Sequence, residues 1–599
     1  CNEIAAMMDV ELPVASMEHQ YFVTEEIPEL RDLGHRVPLL RCPTDDFYQR
    51  QEKNGLLIGF YEQDCKTWGL DGIDPAFTMD LCPNDLDRVA DVMEGAFARL
   101  PCLNDAGIHT IVNGPITYTP DGVPLVGKIA GKRNAWCITG LRAGVGEGGG
   151  HGWLLAQQMV HGEACYDTWA LDPRRFTEYA DVKYTALKAI EDYENEFRFH
   201  LPHEHRPAGR PAKVTPLTEV LKGAGAEFGV VNGWERATFF KPSPDFMEEH
   251  GFHFTNTHDV VAEEVKAVQE RVGIMEVSGF NRYEIRGAGA HDWLDTIMCS
   301  RVPRAAGKVG LTYFLNDRGD VKGEATLSNL AEDRIWYGSA AAAEHHDRDW
   351  FMEHNPPDSV TVVPLTNTHT ILVVAGPKSR DVLTEAAPAT DWSKDAFPWL
   401  RVQNVRIGTA DVVAMSVSFS GELAWELHIP NEDLVAVYDA LMAAGAPHGM
   451  AHFGLYATES MRLEKGYRHW KADLITEFDP FESGLDRFVK MDKDDFTGKA
   501  ALEAKDNQAK RRQFVSLVID SDLAPAHPGD SILSGGDVAG TITSAGYGHR
   551  VQENLAMGFV APEFAEEGTA LEVLVLGERL GARVVPECRY DPHYERVRC

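Results

Sequence analysis

The sequence predicts a multidomain protein of mixed α+β and α/β class, and three observations carry that expectation. The chain has 599 residues, room for three to four domains of ordinary size. Short β-rich runs alternate with amphipathic segments of helix length along most of it. Its C-terminal region, Phe514 to Arg589, is built of short strand-like runs and glycine turns, the pattern of a small β-barrel or sandwich.

Taken in order, QYFVTE and GLLIGFYE are strand-like runs bounded by polar turns, and Pro83 to Leu100 has the periodicity of a helix. An antiparallel sheet with a helical insert is expected there. The turn-rich IVNGPITYTPDGVPLVG follows, then a strand AWCIT, a glycine-rich tight loop GLRAGVGEGGGHG and an amphipathic helix WLLAQQMVHG. Residues 171–222 open with LDPRRF, continue through a helix from Val182 to Phe197 and finish in LPHEHRPAGRPAKVTPL, too polar and proline-rich for regular structure. They are expected to form a connector lying on a surface. Beyond Lys222, helix-like DVVAEEVKAVQERVG and AHDWLDTIM, strand-like NRYEIRG and further β-rich pieces up to HIP at 430 predict a second α+β domain. The charged segment KAALEAKDNQAKRRQ precedes the C-terminal strands. The expected domains are 1–170, 171–222, 223–500 and 501–599.

Composition excludes some classes of function. With 57 Lys+Arg against 92 Asp+Glu the formal net charge is −35, which opposes any broad attraction to nucleic acid or anionic lipid. An anionic ligand must be held by a local pocket. The chain is 44% hydrophobic and 25% charged, as in soluble globular proteins, and no apolar run approaches the ~18 to 20 residues of a membrane helix. Ten cysteines without a CxxC pair suit a reducing compartment better than a disulfide-stapled domain. The opening CNEIAAMMDVELPV lacks the basic start and apolar core of a signal peptide and reads as a start in mid-domain.

Gly144, Gly146 and Gly149 satisfy G-x-G-x-x-G between a strand and a helix, where backbone N–H groups can approach a phosphate or ring carbonyl. No second β unit with a ribose-binding acid follows, so a packing turn is an equal alternative. His203 and His205 lack further ligands at suitable spacing, and no metal site is expected. His345 and His346 fall in a charged helix and are expected to face solvent.

Several longer segments, taken together, carry a resemblance. MEHQYFVTE, YQR before GLLIGFYE, GPITYTPDGVPLVG and GLRAGVGEGGG resemble the later part of a flavoprotein domain of the D-amino-acid-oxidase and sarcosine-oxidase type. LDPRRF, PHEHRPAGRPAKVTPL and GWERATFF are similar to the connector of dimethylglycine and sarcosine dehydrogenases. GIMEVSGFNRYEIRG, SFSGELAWELHIP, GLYATESMRLEKGYRHW and DPFESGLDRFVKMDKDDFTGKAAL resemble the aminomethyltransferase (glycine-cleavage T-protein) module of those dehydrogenases, which ends in a β-barrel. The resemblance spans essentially the whole chain. It implies an N-terminal Rossmann segment that precedes the matching part, so that this chain is either a fragment or completed by a separate FAD-binding chain.

The resemblance implies FAD and tetrahydrofolate as cofactors and a small N-methyl amino acid as substrate. An N-methyl amine loses hydride most readily when neutral, because the nitrogen lone pair stabilises the developing iminium. The site therefore needs an apolar wall, a proton acceptor and a donor or cation for the substrate carboxylate. His19 and Tyr48 match the family's active-site histidine and tyrosine. Pro124, Leu125 and Gly127, with Leu141, Arg142, Ala143, Gly144, Val145 and Gly146, match the flavin-facing segments. Arg142 is either a donor to the flavin or a partner for nearby acids. On the folate side a carboxylate must serve as base or electrostatic partner; Glu276 takes the place of an aspartate, lengthened by one methylene, and Ser278 follows at a folate contact. Glu426 aligns with the carboxylate that meets the amino-pyrimidine edge of pterin, and Phe419 stands where relatives often have Tyr. Glu422 is placed there too, with a solvated strand-end acid as its alternative. Glu482 falls in a family motif, or else caps a turn or pairs with Arg487.

The expected reaction is oxidative N-demethylation yielding 5,10-methylene-tetrahydrofolate, with an electron-transfer flavoprotein or oxygen as electron acceptor. Two alternatives remain at this point: a T-protein-like transferase without flavin activity, and a non-catalytic partner of a separate FAD-binding chain. A homo-oligomer is compatible with each. The expected compartment is the bacterial cytoplasm or the mitochondrial matrix.

Overall fold

Alternate burial along Ala15–Thr24, a strand of ten residues, makes it the centre of a sheet. It pairs antiparallel with Gly55–Phe60 on one side and with Ile108–Tyr118 along nearly its whole length on the other, while Thr67–Trp68 adds to one end. Phe47–Glu52 and Leu40–Cys42 extend the sheet outward from Gly55–Phe60. The computed structural model that shows this describes residues 1–505 and 510–599. Residues 1–160, 168–200 and 205–212 form one compact unit, and 161–167, 201–204 and 213–599 a second.

In the first unit Phe22, Phe47, Ile58 and Phe60 pack under the helix Ala90–Arg99. That helix starts later than Pro83 because the residues before it are spent on the sheet. The Gln20 side chain bonds both the carbonyl and the N–H of Asp85, at 2.8 and 2.7 Å, and Asn113 donates to the Pro83 carbonyl at 2.7 Å. Their polar groups are satisfied without helix. Leu125–Lys128 and Trp136–Thr139 make a hairpin. The glycine-rich segment after it is helical from Gly144 to His161, not a loop, and the Ala143 carbonyl starts it by accepting from the Gly146 and Glu147 N–H groups at 2.8 and 3.0 Å. A further helix, Val182–Glu194, is capped by the Asp181 carboxylate at the Tyr184 N–H, 2.8 Å. It packs Ala189 and Tyr193 against Ala15, Met17 and Tyr118.

The second unit contains a mixed sheet in the order Val402–Ile407, Ala410–Met415, Ala424–Pro430, His369–Ala375, Gly273–Val277, Ala451–His452. One face sends Ile274, Leu372, Val374, Trp425 and Leu427 into a core closed by the helices Thr218–Gly223, Ser379–Ala386 and Leu434–Gly445. The opposite face meets the helices Thr257–Glu270 and Leu455–Lys465 through Met275 and Ala375. It meets a second, antiparallel sheet through Val413, Met415, Val309 and Trp336. That second sheet runs Val309–Leu315, Val321–Ala331, Arg334–Ser339, Asn281–Arg286, Thr361–Pro364. The C-terminal strands close into a barrel of six, which decides between barrel and sandwich. Of the charged segment before it, Lys499–Lys505 is helical and residues 506–509 lie outside the described residues. His346 does not face solvent: it is 3% exposed, beside Asp347 Oδ1 at 2.8 Å and against the rings of Phe314 and Trp470. No helix among the described residues is long and apolar enough to cross a membrane, and the ten cysteines are free thiols.

Candidate functional site

In the first unit the central strand delivers His19 and the neighbouring hairpin delivers Tyr48, both registered on the sheet. His19 Nε2 lies 3.0 Å from the Tyr48 hydroxyl, and Nδ1 lies 3.0 Å from the hydroxyl of Tyr193, which the helix Val182–Glu194 supplies. Rings surround the imidazole: Tyr61 at 4.7 Å between centroids, Tyr48 at 6.0 Å and Tyr193 at 5.9 Å. Tyr118 and Phe197 complete the wall against Tyr193 and Tyr61. Burial, and then the charge of Arg88, push the His19 pKa down to about 4. The imidazole is therefore neutral at physiological pH, and burial likewise holds the Tyr48 phenol protonated by raising it to about 12. The result is a neutral imidazole and a neutral phenol hydrogen-bonded within a cluster of aromatic rings.

Gly59 makes room for this arrangement. It is the cross-strand partner of both Tyr21 and Tyr48, and a Cβ there would lie 2.0 Å from Tyr48 Cζ. Gly59→Ala must therefore push the Tyr48 ring out of place. A displacement near 1 Å is expected to break the 3.0 Å contact between His19 Nε2 and the Tyr48 hydroxyl with the fold intact, and to cost about 10²-fold in a reaction that this contact orients; unchanged kinetics in a variant with wild-type thermal unfolding would contradict this.

The segments matched to flavin divide into a packed part and an open part. Leu125 is sealed in the hairpin core, and Gly127, at φ +153°, would press a Cβ to 3.1 Å from Pro173 Cδ. Arg142 proves to be a partner for acids: its Nη1 pairs with Asp192 at 3.0 Å and with Glu196, and its guanidinium lies over the Tyr118 ring. Ala143, Gly144, Val145 and Gly146 are exposed, and nothing stands within 4 Å of a Cβ built at Gly146, Gly148, Gly149 or Gly150. A bare helix start with glycine on its surface suits the close approach of a flat ring or a phosphate, so this open part fits FAD.

In the second unit the expected folate residues do not gather in one place. Glu276 pairs across the sheet with Leu372, and Leu372 with Leu427, so its side chain shares the face of the helix-covered core. It is 4% exposed, one carboxylate oxygen has no partner, and burial raises its pKa to about 7 against the opposing pull of Thr215 and Arg236. Glu426 pairs with Val373 and Met415 and so faces the other side of the same sheet, toward the second sheet. Ser278 is fully buried, its hydroxyl donating to the Glu235 carbonyl at 3.0 Å. Glu422 is not a solvated strand-end acid: it accepts from Arg550 at 2.9 Å, Tyr590 at 2.7 Å and Arg596 at 3.3 Å. Glu482 caps its turn, accepting from the Asp479 N–H at 3.2 Å, and pairs with Arg511 at 3.0 Å rather than with Arg487. Phe419 is 39% exposed and stacks on Tyr467, an apolar platform open to a ligand ring.

The structure adds a carboxylate that the sequence reading missed. Glu324 stands on Val321–Ala331 opposite Tyr313. Strand alternation puts it on the same face as Ser328, whose hydroxyl meets Met415 Sδ at 3.2 Å, and Met415 is the cross-strand partner of Glu426. Glu324 and Glu426 therefore face one layer, the space between the two sheets. Burial raises the Glu324 pKa to about 7, opposed by a hydrogen bond from Tyr313 and the charge of Arg468. Two carboxylates facing one layer offer hydrogen-bond acceptors of the kind that the N–H groups of a nitrogen-rich ring such as pterin require.

Comparison with known proteins follows the same division. The family models described as "FAD dependent oxidoreductase" and its central domain match residues 1–158 and 161–215. Those described as "GCVT N-terminal domain" and "Glycine cleavage T-protein C-terminal barrel domain" match residues 217–493 and 512–591. The chain is 35% identical to mitochondrial dimethylglycine dehydrogenase of Mus musculus, over 98% of this chain and 68% of that protein. It is 30% identical to mitochondrial sarcosine dehydrogenase of the same species, over 100% of this chain and 70% of that protein. The crystal structure of glycine cleavage system aminomethyltransferase T from Bartonella henselae superposes with a TM-score of 0.56 at 21% identity, covering 63% of this chain and 98% of that one, and shows a shared fold.

Proposed function

Because the chain belongs to the family of dimethylglycine and sarcosine dehydrogenases, we propose that it oxidatively demethylates a small N-methylated amino acid and transfers the carbon to tetrahydrofolate. The observation that carries the reading is His19, held between two tyrosine hydroxyls inside an aromatic wall. FAD, when bound, accepts the hydride lost from the N-methyl carbon. The residues do the rest. Tyr48, Tyr61, Tyr118 and Phe197 exclude water and leave the substrate nitrogen facing rings whose faces tolerate positive charge. His19, kept neutral by burial and Arg88, places no cation beside the nitrogen as its own positive charge develops. Dimethylglycine and sarcosine both fit this description, and a methyl-sized difference between them is worth only ~1 to 3 kcal/mol.

Tetrahydrofolate, when bound, supplies the nitrogen nucleophiles that capture the one-carbon unit. Glu426 would hold the amino-pyrimidine edge of the pterin as an acceptor, Phe419 would offer an apolar platform, and Glu324 would take up on its carboxylate the proton shed during capture. Glu324 is preferred over Glu276 for this role because Glu324 and Glu426 face the layer between the two sheets, while Glu276 lies on the opposite face of the Glu426 sheet. The electrons pass onward to an electron-transfer flavoprotein or to oxygen. Anaerobic mixing of the FAD-loaded protein with dimethylglycine or sarcosine should bleach the flavin. A flavin inert toward every N-methyl glycine would overturn the reading.

A further inference from the structure

The geometry points to Tyr193 and Glu62 as a pair that fixes His19 in the Nδ1–H form, so that Tyr48 donates its proton to Nε2 and turns its oxygen to the substrate ammonium. The inference rests on the proposed amine oxidation at His19 and deepens it by naming what Tyr48 recognises.

The Tyr193 hydroxyl lies 3.0 Å from Glu62 Oε2 and 3.3 Å from the Phe60 carbonyl. Glu62 is 1% exposed, and Arg88 Nε donates to its other oxygen at 2.8 Å. Burial raises the Glu62 pKa overall, but one of its oxygens accepts from the Arg88 guanidinium and the other from the Tyr193 hydroxyl, the partners of a carboxylate in its ionised form. An ionised carboxylate and a carbonyl only accept. The single Tyr193 proton therefore goes to that side, and toward His19 the phenol offers lone pairs. His19 Nδ1, 3.0 Å away, must then carry hydrogen. A neutral imidazole has one N–H, which leaves Nε2 bare to receive the Tyr48 hydroxyl at 3.0 Å. With its proton so committed, Tyr48 can meet substrate only as an acceptor. The N–H of a substrate bound as its ammonium satisfies it, a proton that must leave before hydride does, and a substrate carboxylate does not. Tyr193 and Glu62 are positioning residues here, acting through His19.

The test uses FAD-loaded protein labelled with [15N]histidine, the His19 signals being assigned by their loss in His19→Gln. The expected spectrum has Nδ1 protonated and Nε2 bare. Tyr193→Phe removes the acceptor at Nδ1, and Glu62→Gln presents an amide N–H to Tyr193 and turns its proton toward His19; both should move the hydrogen to Nε2. A wild-type His19 already protonated at Nε2, or a form that neither variant changes, would overturn the assignment. Binding gives a second readout from the flavin spectrum. Tyr48→Phe should weaken dimethylglycine about tenfold, the loss of roughly one hydrogen bond to a charged group, and leave isovalerate, its carbon isostere, within about twofold. Equal weakening of both would place the carboxylate at Tyr48 instead. If no N-methyl amine reduces the flavin while the histidine spectra come out as stated, the proposed reaction fails and the tautomer assignment stands.

Discussion

Replacing His19 with Gln is expected to slow anaerobic reduction of the bound flavin by dimethylglycine or sarcosine by about 10²-fold, the order of the cost when a group that fixes the position of another at the site is lost. The imidazole bridges two phenols at 3.0 Å each, and one glutamine amide cannot bond both ring positions with the same geometry. Because its pKa lies near 4, through burial first and Arg88 second, wild-type reduction should show no titration limb near pH 6.5 from this residue. The same shift has a stability consequence. The folded state keeps His19 neutral between about pH 4 and 6.5 while the unfolded chain takes up a proton, so stability falls as pH drops through that window. His19→Gln should remove that part of the acid slope. Stopped-flow traces within tenfold of wild type would show that the pocket turns over amines without the imidazole.

Glu324→Gln should separate the two half-reactions. Capture of the one-carbon unit by tetrahydrofolate is expected to fall about 10²-fold, with flavin reduction unchanged because the two sites are built by different units of the chain. A base acts in its ionised form. With a pKa near 7 set by burial and moderated by Tyr313 and Arg468, the wild-type transfer rate should rise as pH passes through 7, and this limb should vanish in Glu324→Gln. Glu276→Gln, on the other face of the sheet, should keep the limb. Loss of the limb in Glu276→Gln and its survival in Glu324→Gln would reverse the assignment.

How much of this was legible in the sequence differs between the two sites. The runs QYFVTE and GLLIGFYE mark two strands of one sheet, but His19 and Tyr48 stand on strands separated by Gly55–Phe60, and it was the resemblance, not the alternation, that singled them out. Tyr193 was not legible, because it reaches His19 across 174 residues from a helix whose own periodicity marks it as core. Gly59 had the look of an ordinary strand glycine; the register that sets it against Tyr48 appears only once the strands pair. On the folate side period-2 alternation separates the two faces of a strand without saying which face meets the ligand. Glu276 and Glu324 are both acids in strand-like runs, and only the pairing of the strands shows which of them faces the layer that Glu426 faces. Acids such as Glu422 and Glu482, which local sequence left open, are claimed by arginines far along the chain, Arg550 and Arg511. His345-His346 misled for a related reason: a charged helix suggests solvent, but Asp347 meets the imidazole of His346 within the fold.

The most direct test of the account follows carbon. The FAD-loaded protein is given [methyl-13C]dimethylglycine and an electron acceptor, with and without tetrahydrofolate, and products are followed by 13C NMR against a control of free formaldehyde mixed with tetrahydrofolate. The account predicts labelled formaldehyde in the absence of folate. In its presence it predicts labelled 5,10-methylene-tetrahydrofolate formed faster than in the control, with that excess lost in Glu324→Gln. Labelled formaldehyde released in equal amount under both conditions, with folate product forming no faster than the control, would contradict it.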